Sequence, residues 1–201
     1  MIPGKRFADT KTFVGLLGVA GAVVALATVG VWSVFGETPA LKAPFCIHGY
    51  FYPSGFMGDT QQIVVTDPWK GDCHSGPTCI KVTYKPGGAK GWAGVYWQYP
   101  TGNWGDNPGR KIEGAKRVVF WVRGQNGGET VDFKAGGISG KYRDSFERPT
   151  STKALTATWE RFEIDLSGAD TSSVIGAFNW STAASANPEG LTFYLDGICY
   201  E

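Results

Sequence analysis

The residues of this chain best suited to chemistry are aromatic rings with polar neighbours. From Trp92 to Asp106 it reads WAGVYWQYPTGNWGD, which places three tryptophans and two tyrosines in fifteen residues. Ring faces attract the C–H faces of sugars, and Trp, Tyr and Arg carry much of the binding energy at protein interfaces. Side chains alternate along a strand, so Trp92, Gly94, Tyr96 and Gln98 share one side and Ala93, Val95, Trp97 and Tyr99 the other. The second set makes the better core, which turns Trp92, Tyr96 and Gln98 outward. By the same alternation Val118, Phe120 and Val122 face inward with Trp121 and Arg123 outward, and Val131, Phe133 and Ala135 face inward with Asp132 and Lys134 outward. If these strands lie in one sheet, Tyr96, Gln98, Trp121, Arg123 and Asp132 form one surface of rings and hydrogen-bonding groups. Such a surface suits a glycan or a protein partner equally, and it is a second core if loops cover it. Trp104, beside Asn103 in the loop TGNWGDNPG, is a further contact candidate. Its alternative is a ring folded back over the edge of the domain.

Catalytic patterns are absent. The chain has two histidines, His48 and His74, and no GxSxG elbow, HExxH helix or Gly-rich phosphate loop. Glu129 and Asp132 are close enough to suggest a glycosidase pair, but odd and even positions put them on opposite faces of one strand, where they cannot flank one bond. The reading is therefore of a non-enzyme. Cys73, His74 and Cys79 lack the second ligand pair that a zinc site needs. Four cysteines allow three pairings. Cys73 and Cys79 bracket a short loop, and Cys46 and Cys199 stand in what read as the first and last strands, which favours Cys73–Cys79 with Cys46–Cys199.

The elements that must position these residues are strands. With 29 glycines and 14% aromatic residues, the composition suits an all-β domain with many tight turns. Short β-prone runs between Gly, Pro, Asn and Asp clusters predict strands at Phe45–Tyr52, Gln62–Thr66, Cys79–Lys85, Trp92–Tyr99, Arg117–Arg123, Thr130–Ala135, Ala154–Thr158, Arg161–Leu166, Val174–Trp180 and Leu191–Tyr200. That pattern is the signature of a sandwich or barrel. Asn179-Trp180-Ser181 matches a glycosylation acceptor.

Several stretches carry a resemblance: PSGFMGD (53–59), GWAGVYWQYP (91–100), NWG (103–105), VVFWVRG (118–124), TWERFEIDLSGAD (158–170) and FYLDGICYE (193–201). Together they resemble a carbohydrate-binding-module-type jelly roll of the galactose-binding-like group, over nearly all of residues 45–201. The resemblance implies a jelly-roll β-sandwich whose first and last strands are neighbours, as a Cys46–Cys199 bridge requires. It also implies a structural calcium near those strands, held by Asp59 and Asp196 through hard oxygen ligands. No other cofactor is expected.

Ahead of this domain, Phe13–Phe35 is a run of 23 residues without a charge. As a helix it covers roughly 30 Å, the hydrocarbon thickness of a bilayer. It is longer than the ~7–15 apolar residues of a cleaved signal, although Ala25-Leu26-Ala27 has the look of a cleavage site. The expected organisation is a cytoplasmic leader (1–12), a transmembrane helix (13–35), a linker (36–44) and an exported jelly-roll β-sandwich (45–201). Lys5, Arg6 and Lys11 before the helix keep the N-terminus inside, which places the sandwich on the periplasmic or extracellular side of the cell membrane, where disulfides persist. Gly18 with Ala22, and Gly21 with Ala25, let another helix approach closely.

The net charge of +1 gives no electrostatic case for nucleic acid as a partner. Taken together, the leading expectation is a non-catalytic single-pass subunit of a larger membrane complex. Its partners are the bilayer and other transmembrane subunits, a respiratory or photosynthetic assembly being one setting, and its exported domain braces neighbouring subunits. The alternative is a membrane-tethered protein that binds cell-surface or environmental glycans.

Overall fold

The computed structural model describes residues 38–201. Phe13–Phe35, with Gly18, Gly21, Ala22 and Ala25, lies outside the described residues, as does the segment read as a cytoplasmic leader (1–12). The described chain forms fourteen strands: β1 (Leu41–Lys42), β2 (Phe45–Cys46), β3 (Tyr52–Gly58), β4 (Ile63–Trp69), β5 (Cys79–Tyr84), β6 (Trp92–Gln98), β7 (Ile112–Glu113), β8 (Arg117–Gly124), β9 (Thr130–Gly136), β10 (Glu147–Pro149), β11 (Lys153–Ala154), β12 (Glu160–Asp165), β13 (Gly176–Ala183) and β14 (Leu191–Tyr200). β1 with β7 forms a separate two-stranded sheet, and the other twelve build two six-stranded sheets. One runs β10-β9-β13-β6-β3, with β11 also on β9; the other runs β12-β8-β14-β5-β4, with β2 also on β14. We call them the β6 sheet and the β14 sheet. All pairings within them are antiparallel. The result is the all-β sandwich expected, in a jelly-roll arrangement.

The inner faces meet through rings. Phe120 and Phe193 from the β14 sheet interleave with Trp97, Phe133, Phe178 and Trp180 from the β6 sheet, with centroids 4.8 Å apart for Phe120–Phe133 and 5.3 Å for Trp180–Phe193. All six are at most 2% exposed. Burying each such ring stabilises by about 1.5–3 kcal/mol, so this row is the main adhesive between the sheets. Ala93, Val95, Val118, Val122, Val131 and Ala135 join it, as the alternation predicts.

Two expectations are revised. The run Phe45–Tyr52 is not one strand: β2 pairs with β14, the chain turns through buried Ile47 and Phe51, and β3 pairs with β6 in the opposite sheet. His48 is therefore in a turn. Residues read as linker belong partly to the sandwich, because Leu41 and Lys42 pair in parallel with Ile112 and Glu113, and the Arg110 guanidinium donates to the Pro39 carbonyl at 3.1 Å. Leu41 is 7% exposed, and this burial draws the segment down. Both disulfides form as favoured, Cys46–Cys199 across the β2·β14 pair and Cys73–Cys79 across the short loop.

Candidate functional site

The expected single surface divides in two. Tyr96, Gln98 and Asp132 belong to the β6 sheet, whereas Trp121 and Arg123 belong to the β14 sheet. Strand alternation gives the side of a sheet but not which sheet a strand joins, and here the two outward sides point away from each other.

On the β14 sheet the outward rings are already engaged. The ring of His74 stacks on Trp121 with centroids 3.6 Å apart. The Arg123 guanidinium lies 4.1 Å from the Tyr194 ring and 5.4 Å from that of Trp159, and it donates to the Asp72 carbonyl at 3.3 Å. Ser75 N–H donates to Asp196 Oδ2 at 2.7 Å. The loop closed by Cys73–Cys79 therefore lies over Trp121, Arg123 and Asp196 and takes up their contacts internally.

On the β6 sheet, Trp92 and Trp104 are 39% and 42% exposed. Between them along β6 stand Gly94 and Tyr96. In register with Gly94 come Ser181 on β13 and, beyond it, Asp132 on β9; in register with Tyr96 come Asn179 and Lys134. Trp92 and Tyr96 are four residues apart, about 13 Å along a strand. The face is thus a strip of polar groups bounded by two accessible indoles. Lys134 Nζ donates to Glu147 Oε1 at 2.9 Å and lies 5.6 Å from the Tyr96 ring. Burial alone would pull its ammonium down, but Glu147 and Tyr96 outweigh that and leave its pKa raised. The strip therefore presents a fixed cation next to a carboxylate.

Tyr96 and Gln98 are not exposed contacts. Tyr96 is 4% exposed and packs with Ile138 and Ile175 in a second small core, joined by Met57 and Tyr142. Its hydroxyl donates to the Gly136 carbonyl at 3.1 Å. Burial pushes its phenol pKa up, a rise that Lys134 offsets only in part. Loops cover this end of the face, which is the second-core alternative made real. Gln98 is fully buried and shapes the Trp104 loop: Ser54 Oγ donates to its Oε1, and its Nε2 donates to the Asn103 carbonyl, both at 2.9 Å.

Asn103 completes that loop. Its Oδ1 accepts N–H bonds from Gly105, Asp106 and Asn107, while its Nδ2 donates to the carbonyls of Tyr99 and Asn107. Trp104 thus projects from a rigid frame, with its ring edge-on to Tyr96 at 6.0 Å. The TGNWGDNPG pattern already showed this tendency, since Asn side chains commonly fold turns onto their own backbone. Sequence reasoning did not single out Lys134, Glu147 and Ser181 as site residues, although the alternation already turned Lys134 outward. Asn179 of the glycosylation pattern is 2% exposed, with its amide donating to the Val95 carbonyl.

Asp59 and Asp196 do not converge. Asp59 follows β3 and accepts from the N–H groups of Lys90 and Gly91, both at 2.8 Å, while Asp196 is on β14 in the other sheet. Among the described residues, no three His, Cys, Asp or Glu side chains gather as a metal would need. The calcium site implied by the resemblance is therefore not formed by this pair.

No protein-family model matches the chain, and no curated protein matches it. Solved structures do. The family 11 carbohydrate-binding module from Clostridium thermocellum, in complex with a β-1,3-1,4-mixed-linked tetrasaccharide, is similar with a TM-score of 0.51 at 14% identity, over 78% of this chain and 93% of that one. The family 11 module of cellulase Lic26A-Cel5E from the same organism matches with a TM-score of 0.51 at 13% identity, over 81% and 95%. A family 30 carbohydrate-binding module matches with 0.51 at 14%, over 80% and 95%. These likenesses define the class of fold: the sandwich of carbohydrate-binding modules.

Proposed function

We propose that this chain is a non-catalytic glycan-binding protein that holds its ligand across the outer face of the β6 sheet. Trp92 and Trp104 stack on sugar rings, while Asp132, Lys134, Glu147 and Ser181 meet the hydroxyls. The observation that carries the reading is the pair of accessible indoles bounding a polar strip, on a fold also found in a module solved with a tetrasaccharide. Neutral sugars offer C–H faces and hydroxyls but no charge, and this strip matches both without needing a basic or acidic excess. In the same reading, Phe13–Phe35 anchors the protein and the disulfide-bonded sandwich faces the periplasm or exterior. The role as a bracing subunit of a membrane complex has no support among the described residues.

The test is titration of the full chain, in a detergent without a sugar headgroup, against linear β-glucan oligosaccharides, by calorimetry. Removing either indole, as Trp92→Ala or Trp104→Ala, is expected to weaken binding about tenfold, which corresponds to ~1.4 kcal/mol. Trp121→Ala is expected to leave it unchanged. Absence of binding across a broad neutral-glycan array, or loss through Trp121→Ala with Trp92 and Trp104 dispensable, would overturn the proposal.

A further inference from the structure

We propose that Asp144 is a positioning residue for this face, its buried carboxylate fixing the 138–142 loop and, through that loop, Trp104. The inference rests on the glycan reading above and deepens it by naming how the site is regulated.

Asp144 is 7% exposed. Its Oδ2 accepts the N–H of Ile138 at 2.8 Å, and its own N–H donates back to the Ile138 carbonyl at 2.9 Å. Its Oδ1 accepts the N–H groups of Ile175 and Gly176, at the entry to β13. One side chain thereby ties both ends of the loop to the sheet. The loop in turn supports the Trp104 loop: Tyr142 N–H donates to the Gly105 carbonyl at 2.8 Å. The two backbones touch, so that a Cβ on Gly105, where φ is +96°, would stand 2.3 Å from the Ser139 carbonyl oxygen. Ile138 and Tyr142 also complete the packing of Tyr96, against whose ring Trp104 rests.

Such an anchor is sensitive to protons. Burial pushes the Asp144 carboxyl from its ordinary 3.8 up to about 6, against the opposing pull of the Ile175, Ile138 and Gly176 N–H groups and of Lys134. The titratable and charged groups facing it are Lys134 on β9, Tyr96 on β6 and Tyr200 on β14. Arg143, Glu147 and Asp170 line the adjoining cavity of about 570 Å³. When the loop lifts and water reaches the carboxylate, its proton affinity returns to the ordinary value. The packed loop therefore binds the proton more tightly, so acid favours packing and a rise of pH through about 6 favours release. The ceiling on this coupling is about a hundredfold, roughly a factor of ten for each unit of pKa difference.

A neutral oligosaccharide has no titrating group, so any pH dependence of its affinity belongs to the protein. The experiment measures the dissociation constant of the full chain for the β-1,3-1,4-mixed-linked tetrasaccharide across the window from acid to neutral pH. In parallel, ligand-free hydrogen exchange is followed in peptides covering 100–107 and 137–146, corrected for intrinsic rates. Affinity and protection are both expected to fall several-fold as pH rises through about 6. Asp144→Asn, which keeps one acceptor and cannot ionise, is expected to flatten both profiles. Asp144→Glu, which still titrates, restores a slope if the asparagine variant does not fold. Binding that is flat across pH, or a slope that survives in Asp144→Asn, overturns the inference while leaving the glycan reading intact. Absence of binding at every pH overturns the glycan reading instead, and the exchange profiles then decide whether Asp144 governs the loop.

Discussion

Removing the Cys46–Cys199 bridge is the most severe test of how the sandwich is held together. The double variant Cys46→Ala/Cys199→Ala changes little in the folded state, because Cys46 is exposed and Cys199 half-buried. Its effect falls on the unfolded chain, which gains the freedom of a loop spanning 153 positions. The chain-entropy relation then gives a loss of about 5 kcal/mol at 25 °C. The same relation gives only about 2 kcal/mol for Cys73→Ala/Cys79→Ala, whose loop spans 6 positions. Urea unfolding measures both. With a slope of about 2 kcal/mol per molar urea, the long-loop variant should shift its midpoint downward by roughly 2.5 M and the short-loop variant by about 1 M. The slope itself should steepen for the long-loop variant, since an unstapled chain exposes more surface. Equal losses in the two variants, or a larger loss for the short loop, would refute this attribution to the unfolded state.

Stability should also follow Asp144. Its carboxyl binds a proton more tightly in the fold than in the unfolded chain, so its contribution is complete in acid and is lost as pH rises from 3.8 through about 6. That loss is worth at most about 3 kcal/mol, read as a falling urea midpoint over this window that Asp144→Asn removes. Gly58→Ala should cost about 1–3 kcal/mol in thermal unfolding, because φ there is +69° and a Cβ would stand 2.2 Å from the Trp92 carbonyl oxygen. The same variant should weaken glycan binding by displacing Trp92. Tyr200→Phe removes a buried hydroxyl that donates to the Ala177 carbonyl at 2.7 Å, and should lower unfolding free energy by about 1–2 kcal/mol.

What could be read from residue order follows the range of the forces involved. Alternation along Trp92–Gln98 put Ala93, Val95 and Trp97 in the core, and each is at most 2% exposed. The pleat is a local property and needs no knowledge of partners. The same alternation turned Tyr96 and Gln98 outward but could not foresee that loops 100–107 and 137–146 would cover them, since loop placement depends on contacts between distant segments. Sheet membership was hidden for the same reason: β6 and β8 are near in sequence yet join opposite sheets, which separated Trp121 and Arg123 from Trp92 and Trp104. Asp144 gave no signal, because a lone carboxylate in a Gly/Ser loop reads as solvated until its three N–H donors are brought together by tertiary packing.

The covalent join at Cys46 also sets a path for mechanical force. Tension arriving from the amino-terminal side would first load the short parallel β1·β7 pair and then reach Cys46. There the sulfur atoms transfer it to β14, which is hydrogen-bonded along both flanks by β8 and by β5 with β2. The zipper-like peeling that would otherwise run from β2 into β3 cannot begin from that end. Under drag, the chain would yield only the few residues ahead of Cys46, and the β6 strand with Trp92 and the loop with Trp104 would stay unstretched.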